Sequence, residues 1–457
     1  MTRSMTTGNP LFLILKFAFP LLLGNLFQQA YNLADAAIVG QTLGTDALAA
    51  VGASSSVQFL VLGFCIGICL GFSIPVAQRF GAEDHHGMRQ YIFHGMVWSI
   101  TAAVLLTVTT VLLCSTILNI LKTPEDIFNN AYSYLLVIFI GIPFTILYNF
   151  LSGILRAVGD SRTPFFFLAL STVINIFLDL FCILVLHLGC MGAGIATVVS
   201  QAISGILCLV LIVKKFEILH FKKEDLKWNS RIGITTILMG LPTGLQYSIT
   251  AVGSMVMQAA NNGLGTVYVS AFTAGMKIKQ FAMCPFDALA TSVSTFAGQN
   301  YGAGKMDRVK KGIVTGTLTG ITYGVLIGIV LIFWGRNLCM MLVNASETAV
   351  LDQAGKYLRF LGFFYWSLGI LNVCRMSIQA LGFSGRAIIS GVLEMIARVS
   401  VSFLLVPVYG FTAICISDQS AWLLACCYVA PMVMWCVHKV SGHLETSRKK
   451  IKKRNKG

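Results

Sequence analysis

Apolar residues fill long windows along this chain, and polar residues collect in the short stretches between them. The windows lie near 11–39, 48–80, 89–115, 127–150, 162–187, 191–214, 231–259, 268–296, 309–333, 350–374, 385–407 and 412–438. A helix of about 20 residues crosses a ~30 Å hydrocarbon core, so each window is long enough to span a bilayer. The pattern predicts an all-α polytopic membrane protein with about twelve transmembrane helices. The first window reads as a span and not as a cleaved leader, being too long and carrying Lys16 and Pro20.

The pattern also repeats. GTDALAAVGA from Gly44 corresponds to GTVYVSAFTA from Gly265, and RFGAEDHHGMRQ after Gln78 corresponds to NYGAGKMDRVKK after Gln299. Pro20 matches Pro242, and RAVGDS from Arg156 matches QALGFS from Gln379. Six spans per copy is an even number, so the second copy starts on the same side as the first and the repeats are parallel. The expected organisation is an amino-terminal six-helix lobe (1–213), a charged linker (214–231), a second six-helix lobe (232–438) and a basic tail (439–457). Parallel repeats are typical of secondary transporters, which hold substrate between two halves.

Composition agrees with the membrane reading. Of 457 residues, 56% are hydrophobic and 11% charged, where a soluble protein carries roughly 25% charged. The formal charge of +15 comes from basic loops. With the amino terminus inside, the 214–231 cluster, the 305–311 group and the tail are cytoplasmic, and the outer segments hold only Lys122, Arg336, Lys356 and Arg359. That bias predicts both termini in the cytoplasm, with basic segments lying against anionic lipid and no nucleic-acid partner. The thirteen cysteines form no CxxC pair and read as small apolar residues. Glycines four apart, Gly63 to Gly71 and Gly312 to Gly328, read as close helix packing.

Candidate chemistry rests on polar residues inside spans. A charge at the bilayer centre costs about 2.5–3.5 kcal/mol even on lenient scales, so it faces a cavity or a partner. Asn25, Gln28, Asn32 and Asp35 form a stripe on the first span, and Ser171, Asn175 and Asp179 another on the fifth. The sixth offers Thr197, Ser200 and Gln201. Two carboxylates with amide and hydroxyl oxygens suit a small hard cation such as Na⁺, or a shared proton. A structural hydrogen-bond network is the alternative. The second repeat lacks this set: Met257 stands opposite Asp35, and Arg398 and Ser402 opposite Asn175 and Asp179. Glu394 with Arg398 reads as a neutralised i, i+4 pair. Asp287, paired with Lys277 or Lys279, and Asp418 are weaker candidates. No GxxxxGK[ST], HExxH or GxSxG motif is present, which excludes these routes to ATP use or hydrolysis and leaves an ion gradient as energy source. No enzyme activity or cofactor is expected.

The chain resembles the multidrug and toxic compound extrusion (MATE) transporters over nearly its whole length. FPLLLGNLFQQAYNLADAAIVG, DALAAVGA, QRFGAED, RAVGDSRTP, STVINIFLDLF, GAGIATVVSQ, STFAGQNYGAGK and QALGFSGR carry the likeness by their order and duplication. The resemblance implies two six-helix lobes, alternating access and export of organic cations in exchange for H⁺ or Na⁺, in a prokaryotic inner membrane. It also implies a cation site at Asp35, Asn175, Asp179 and Thr197, with Pro20 at the position associated with bending of the first helix. Acids of another branch, in the seventh and tenth helices, are missing: Thr250 holds the seventh-helix position and Asp352 lies near the outer end of the tenth. Substrate contacts are expected from Gln28, Tyr31, Asn32, Tyr134, Tyr148, Asn149 and Gln246, since aromatic faces hold delocalised cations. The protein is expected to act as a monomer on a small organic substrate. The alternatives are a lipid-linked saccharide flippase of the same superfamily, and a receptor.

Overall fold

The computed structural model describes residues 3–121 and 123–454. Lys122, counted above among the outer basic residues, lies outside the described residues, as do positions 455–457 and the side chains of the tail from residue 443.

All regular structure among the described residues is helical. The first repeat contains α1 (Pro10–Leu43), α2 (Thr45–Gly81), α3 (His85–Ile120), α4 (Glu125–Ile140), α5 (Ile142–Ala157), α6 (Arg162–Leu180) and α7 (Gly189–Lys215). The second contains α8 (Ser230–Asn262), α9 (Thr266–Gly302), α10 (Met306–Cys339), α11 (Thr348–Phe364), α12 (Trp366–Ala380), α13 (Ser384–Ser400), α14 (Val406–Tyr409) and α15 (Phe411–Arg454). Eight of these segments are long and apolar enough to cross a membrane. Two bent pairs, α4 with α5 at 45° and α11 with α12 at 59°, raise the number to ten. α8 and α9, of 33 and 37 residues, complete the twelve. They fall short in hydropathy because they carry residues such as Gln246, Thr250, Lys277, Lys279 and Asp287 within the span.

The bends recur at matching places in the repeats. α4 ends at Gly141, and Pro143, which has no N–H to bond back into α4, opens α5. Gly141 is also a close approach: a Cβ there would come within 2.2 Å of Val198 on α7. α6 starts where Asp160 accepts from the backbone N–H of Arg162 (3.0 Å) and Thr163 (3.1 Å), satisfying donors left free at the helix start. Both α6 and α13 end in a widened π turn, Phe181–Val185 and Val401–Leu405.

The chain forms two compact units that do not coincide with the repeats. One comprises mainly Pro20–Ala77 and Asp84–Ala251; the other comprises Ser4–Phe19, Gln78–Glu83 and the chain from Val252 onward. α1 therefore changes unit at Pro20, and the first two-thirds of α8 belong with the first unit. Within the second unit, the α10 glycines are points of close helix approach. A Cβ on Gly320 would lie 2.8 Å from Gly369 Cα on α12, and one on Gly328 would lie 2.4 Å from the Gly362 carbonyl on α11. An aromatic core sits beside them, with Tyr365 packed edge-on to Trp422 and tilted against Phe286.

The linker is packed against the first unit. Asp225 is buried and accepts from Arg89 Nε at 2.5 Å, His86 Nδ1 at 2.6 Å and the Lys222 backbone N–H at 2.8 Å. Burial alone would raise the Asp225 carboxyl, but these donors outweigh it and hold it below the usual carboxylate range. Trp228 lies against the His94 ring, and Asn229 N–H donates to His94 Nε2 at 2.9 Å. His94 Nδ1 lies 2.8 Å from the Gln90 carbonyl. Together these contacts fit one neutral tautomer, protonated at Nδ1.

Candidate cation site and its counterpart

Four helices of the first unit converge on the two acids. Asp35 stands one turn after Tyr31 on α1, and Asp179 one turn after Asn175 at the end of α6. Tyr134 of α4 lies beside both acids and hydrogen-bonds Gln58 of α2. Thr197 of α7 shares a hydrogen bond of 2.9 Å with the Tyr31 hydroxyl and accepts from Asn175 Nδ2 at 3.4 Å. The two carboxyl groups are neighbours close enough to hydrogen-bond each other when one proton lies between them.

The site is short of donors. Asp179 and Asn175 are 0% and 1% exposed and Asp35 is 7% exposed. Asp35 Oδ1, Asn175 Oδ1 and both Asp179 oxygens are buried without a hydrogen-bond partner. No ion pair to Asp35 or Asp179 exists among the described residues, and no third acid, histidine or cysteine joins them in a metal-holding cluster. Buried polar atoms are nearly always satisfied, so four such oxygens together mark a place where a positive charge fits. One turn beyond the acids, Val39 of α1 and Ile183 of the π turn pack with Ile138, Ala193 and Tyr134 into an apolar cluster. This cluster closes the site at that end. On the other side, Gln28 and Asn32 are exposed.

The remaining sequence candidates are arranged differently. Gln201 is taken by the Thr145 hydroxyl at 2.5 Å, and Ser200 bonds the Thr197 carbonyl. Tyr148 donates to the Pro164 carbonyl at 3.0 Å and Asn149 to the Thr145 carbonyl at 2.8 Å. Gln246 is buried on α8. Gln58 was missed by sequence reasoning; its signal was an amide following the serines at 54–56 within an otherwise apolar span.

In the second unit the matching region is filled by a charge network. Asp418 of α15 accepts from Lys279 Nζ of α9 at 2.5 Å, Arg398 Nε of α13 at 3.1 Å and the Tyr357 hydroxyl of α11 at 3.0 Å. Glu394 bonds Arg375 Nη1 of α12 at 2.7 Å and Arg398 Nη2 at 3.4 Å. The expected Glu394–Arg398 pair is thus part of a larger cluster. Lys279 belongs to Asp418, not to Asp287, because Asp418 is buried on the facing helix. Asp287 is exposed, with Arg375 as its charged neighbour.

Twelve membrane-spanning helices in two parallel repeats, with ionisable groups buried inside, define a polytopic membrane transporter. The family profile MatE matches residues 20–181 and again 242–404, one copy per repeat. The "Probable multidrug resistance protein YpnP" of Bacillus subtilis (strain 168) is 30% identical over 418 residues, covering 92% of this chain and 90% of that protein. The "Probable multidrug resistance protein YoeA" of the same organism is 30% identical over 374 residues, covering 80% of each. A crystal structure of MATE in complex with MaL6 superposes with a TM-score of 0.88 at 20% identity, over 97% of this chain and 98% of that one, and supports the fold. The chain belongs to the MATE family, whose members are transporters and not enzymes.

Proposed function

We propose that the protein is a cation-coupled antiporter that exports amphipathic, cationic organic compounds by alternating access, with H⁺ or Na⁺ as the coupling ion. The observation that carries this reading is the group of four donorless oxygens on Asp35, Asn175 and Asp179. An arriving Na⁺ could be ligated by all of them, whereas a proton would be shared between one oxygen of each acid; either removes the repulsion between two buried carboxylates. Asp35 and Asp179 supply the charge; Asn175 Oδ1 and Thr197 Oγ1 supply neutral oxygens, with Tyr31 holding Thr197 in place. Proposed substrate contacts are Tyr31 and Tyr134 beside the acids, the exposed Gln28 and Asn32, and Tyr148, Asn149 and Gln246. One charge moving through 100 mV releases about 2.3 kcal/mol, which sustains a substantial substrate gradient.

The protein acts as a monomer in a bacterial inner membrane, with linker and termini on the cytoplasmic side as the basic bias requires. Names of the two Bacillus relatives support drug export over saccharide flipping. The test uses vesicles loaded with a fluorescent organic cation and challenged separately with pH and Na⁺ gradients. One gradient should drive transport, and Asp35→Asn and Asp179→Asn should each abolish it. Full coupling in both variants would remove the site; transport that needs ATP would remove the mechanism.

A further inference from the structure

The first unit contains an apolar cavity lined by none of the cation-site residues. It has a volume of about 300 Å³ and lies where the linker passes under the helices. Ile92 and Met96 of α3, Ile154 of α5 and Leu209 of α7 line it, and Leu219 and Phe221 of the linker close its floor. His220 is its one titratable lining residue, and its Nε2 lies 2.7 Å from the Val213 carbonyl on the rim. Apart from His220 its lining side chains are apolar and offer water few partners, and exposed apolar residues of α7 continue beside it: Ile206, Leu209, Val210 and Val213.

Positive charge begins abruptly at the rim. Lys214 and Lys215 follow Val213, and Lys222 and Lys223 follow Phe221; all four are exposed. None is in an ion pair among the described residues. The acids of the same stretch do not cancel them. Asp225 is occupied by Arg89 and His86, which leaves Glu217 and Glu224 against these four lysines and Lys227. An apolar slot open to lipid, rimmed by cations at the interface, is complementary to one ligand chemistry: an acyl chain joined to an anionic head group.

We propose that this cavity is a binding site for an anionic phospholipid of the cytoplasmic leaflet. One acyl chain enters beside α7 and lies over Leu219 and Phe221, and the phosphate rests among Lys214, Lys215, Lys222 and Lys223. The leaflet assignment rests on the orientation proposed above; binding itself does not require the transport mechanism. A lipid held here also braces the linker, since the cavity floor and the Asp225 anchor belong to the same short segment.

Native mass spectrometry of the purified, delipidated protein tests this, with phosphatidylglycerol and phosphatidylcholine of identical chains added in turn. The wild type should retain phosphatidylglycerol about tenfold more strongly than phosphatidylcholine. A variant with all four lysines changed to Gln should lose the preference while still taking up either lipid. Leu209→Trp, which fills the slot, should lose the retained lipid; Val213→Trp at the exposed rim serves if the first variant does not fold. Glycerol phosphate should not compete. Equal retention of the two lipids by the wild type, or an unchanged preference in the lysine variant, would overturn the proposal. Competition by glycerol phosphate would overturn the acyl-chain part and leave a phosphate site. These readouts are independent of transport, so a failed antiport assay leaves them intact.

Discussion

At the end of α6 the first repeat buries two carboxylates with no cation paired to either; around α13 the second repeat buries two carboxylates among three cations. Both arrangements remove charge from water, and their energetics differ. In this second cluster every oxygen of the two acids has a bonded partner: Asp418 meets Lys279, Arg398 and Tyr357, and Glu394 meets Arg375 and Arg398. Such a cluster loses stability when one member is removed, because the remaining charge is stranded. In the first repeat no cation is paired with Asp35 or Asp179 among the described residues, and three of their carboxyl oxygens are buried without a donor. The duplicated backbone thus carries a bonded charge network in one copy and donorless carboxyl oxygens in the other.

Substitutions can break this contrast. The largest effect is expected from Asp418→Leu, which strands the buried Lys279 without its acid and leaves Arg398 to share Glu394 with Arg375, and should cost about 3–5 kcal/mol. Thermal unfolding in detergent measures it, and a loss under 1 kcal/mol would mean that the network is dispensable. Next, Met257→Asp places a carboxylate at the counterpart of Asp35. Met257 is 1% exposed, so the cost should be about 2.5–3.5 kcal/mol. A variant as stable as the wild type would show that the second repeat has room for the same chemistry. Asp225→Asn should cost about 2 kcal/mol by weakening bonds to Arg89 and His86. The folded-state pKa of Asp225 is depressed, so its contribution is present above the unfolded carboxylate value. It is lost as pH falls through the lower folded value, and an acid titration of linker proteolysis follows it. The smallest effect on stability is expected for Asp35→Asn, near zero or slightly stabilising, since it relieves carboxylate repulsion. Coupled transport by that variant should nevertheless vanish, and a large drop in melting temperature would class Asp35 with the structural network.

The spans, the duplication and the stripes bearing Asp35 and Asp179 were legible in the sequence because each is a periodic signal. Apolar runs reveal length, and residues four apart share a helix face. The pairing of Lys279 with Asp418 was not legible. The two residues are 139 positions apart, and no spacing rule connects helices that meet only through tertiary packing. The α4–α5 bend had a local signal in Gly141 and Pro143, whereas the sharper bend between Phe364 and Trp366 has no proline beside it. The linker read as a charged stretch. Its packing depends on Trp228 and Asn229 finding His94, again a contact without a periodic signature.

The π turns at Phe181–Val185 and Val401–Leu405 end matching helices of the two repeats. One follows Asp179 by two residues, and the other includes Ser402, the residue opposite Asp179. A widened helix end therefore forms with or without a carboxylate at that position, so the distortion itself is not a mark of the acid site.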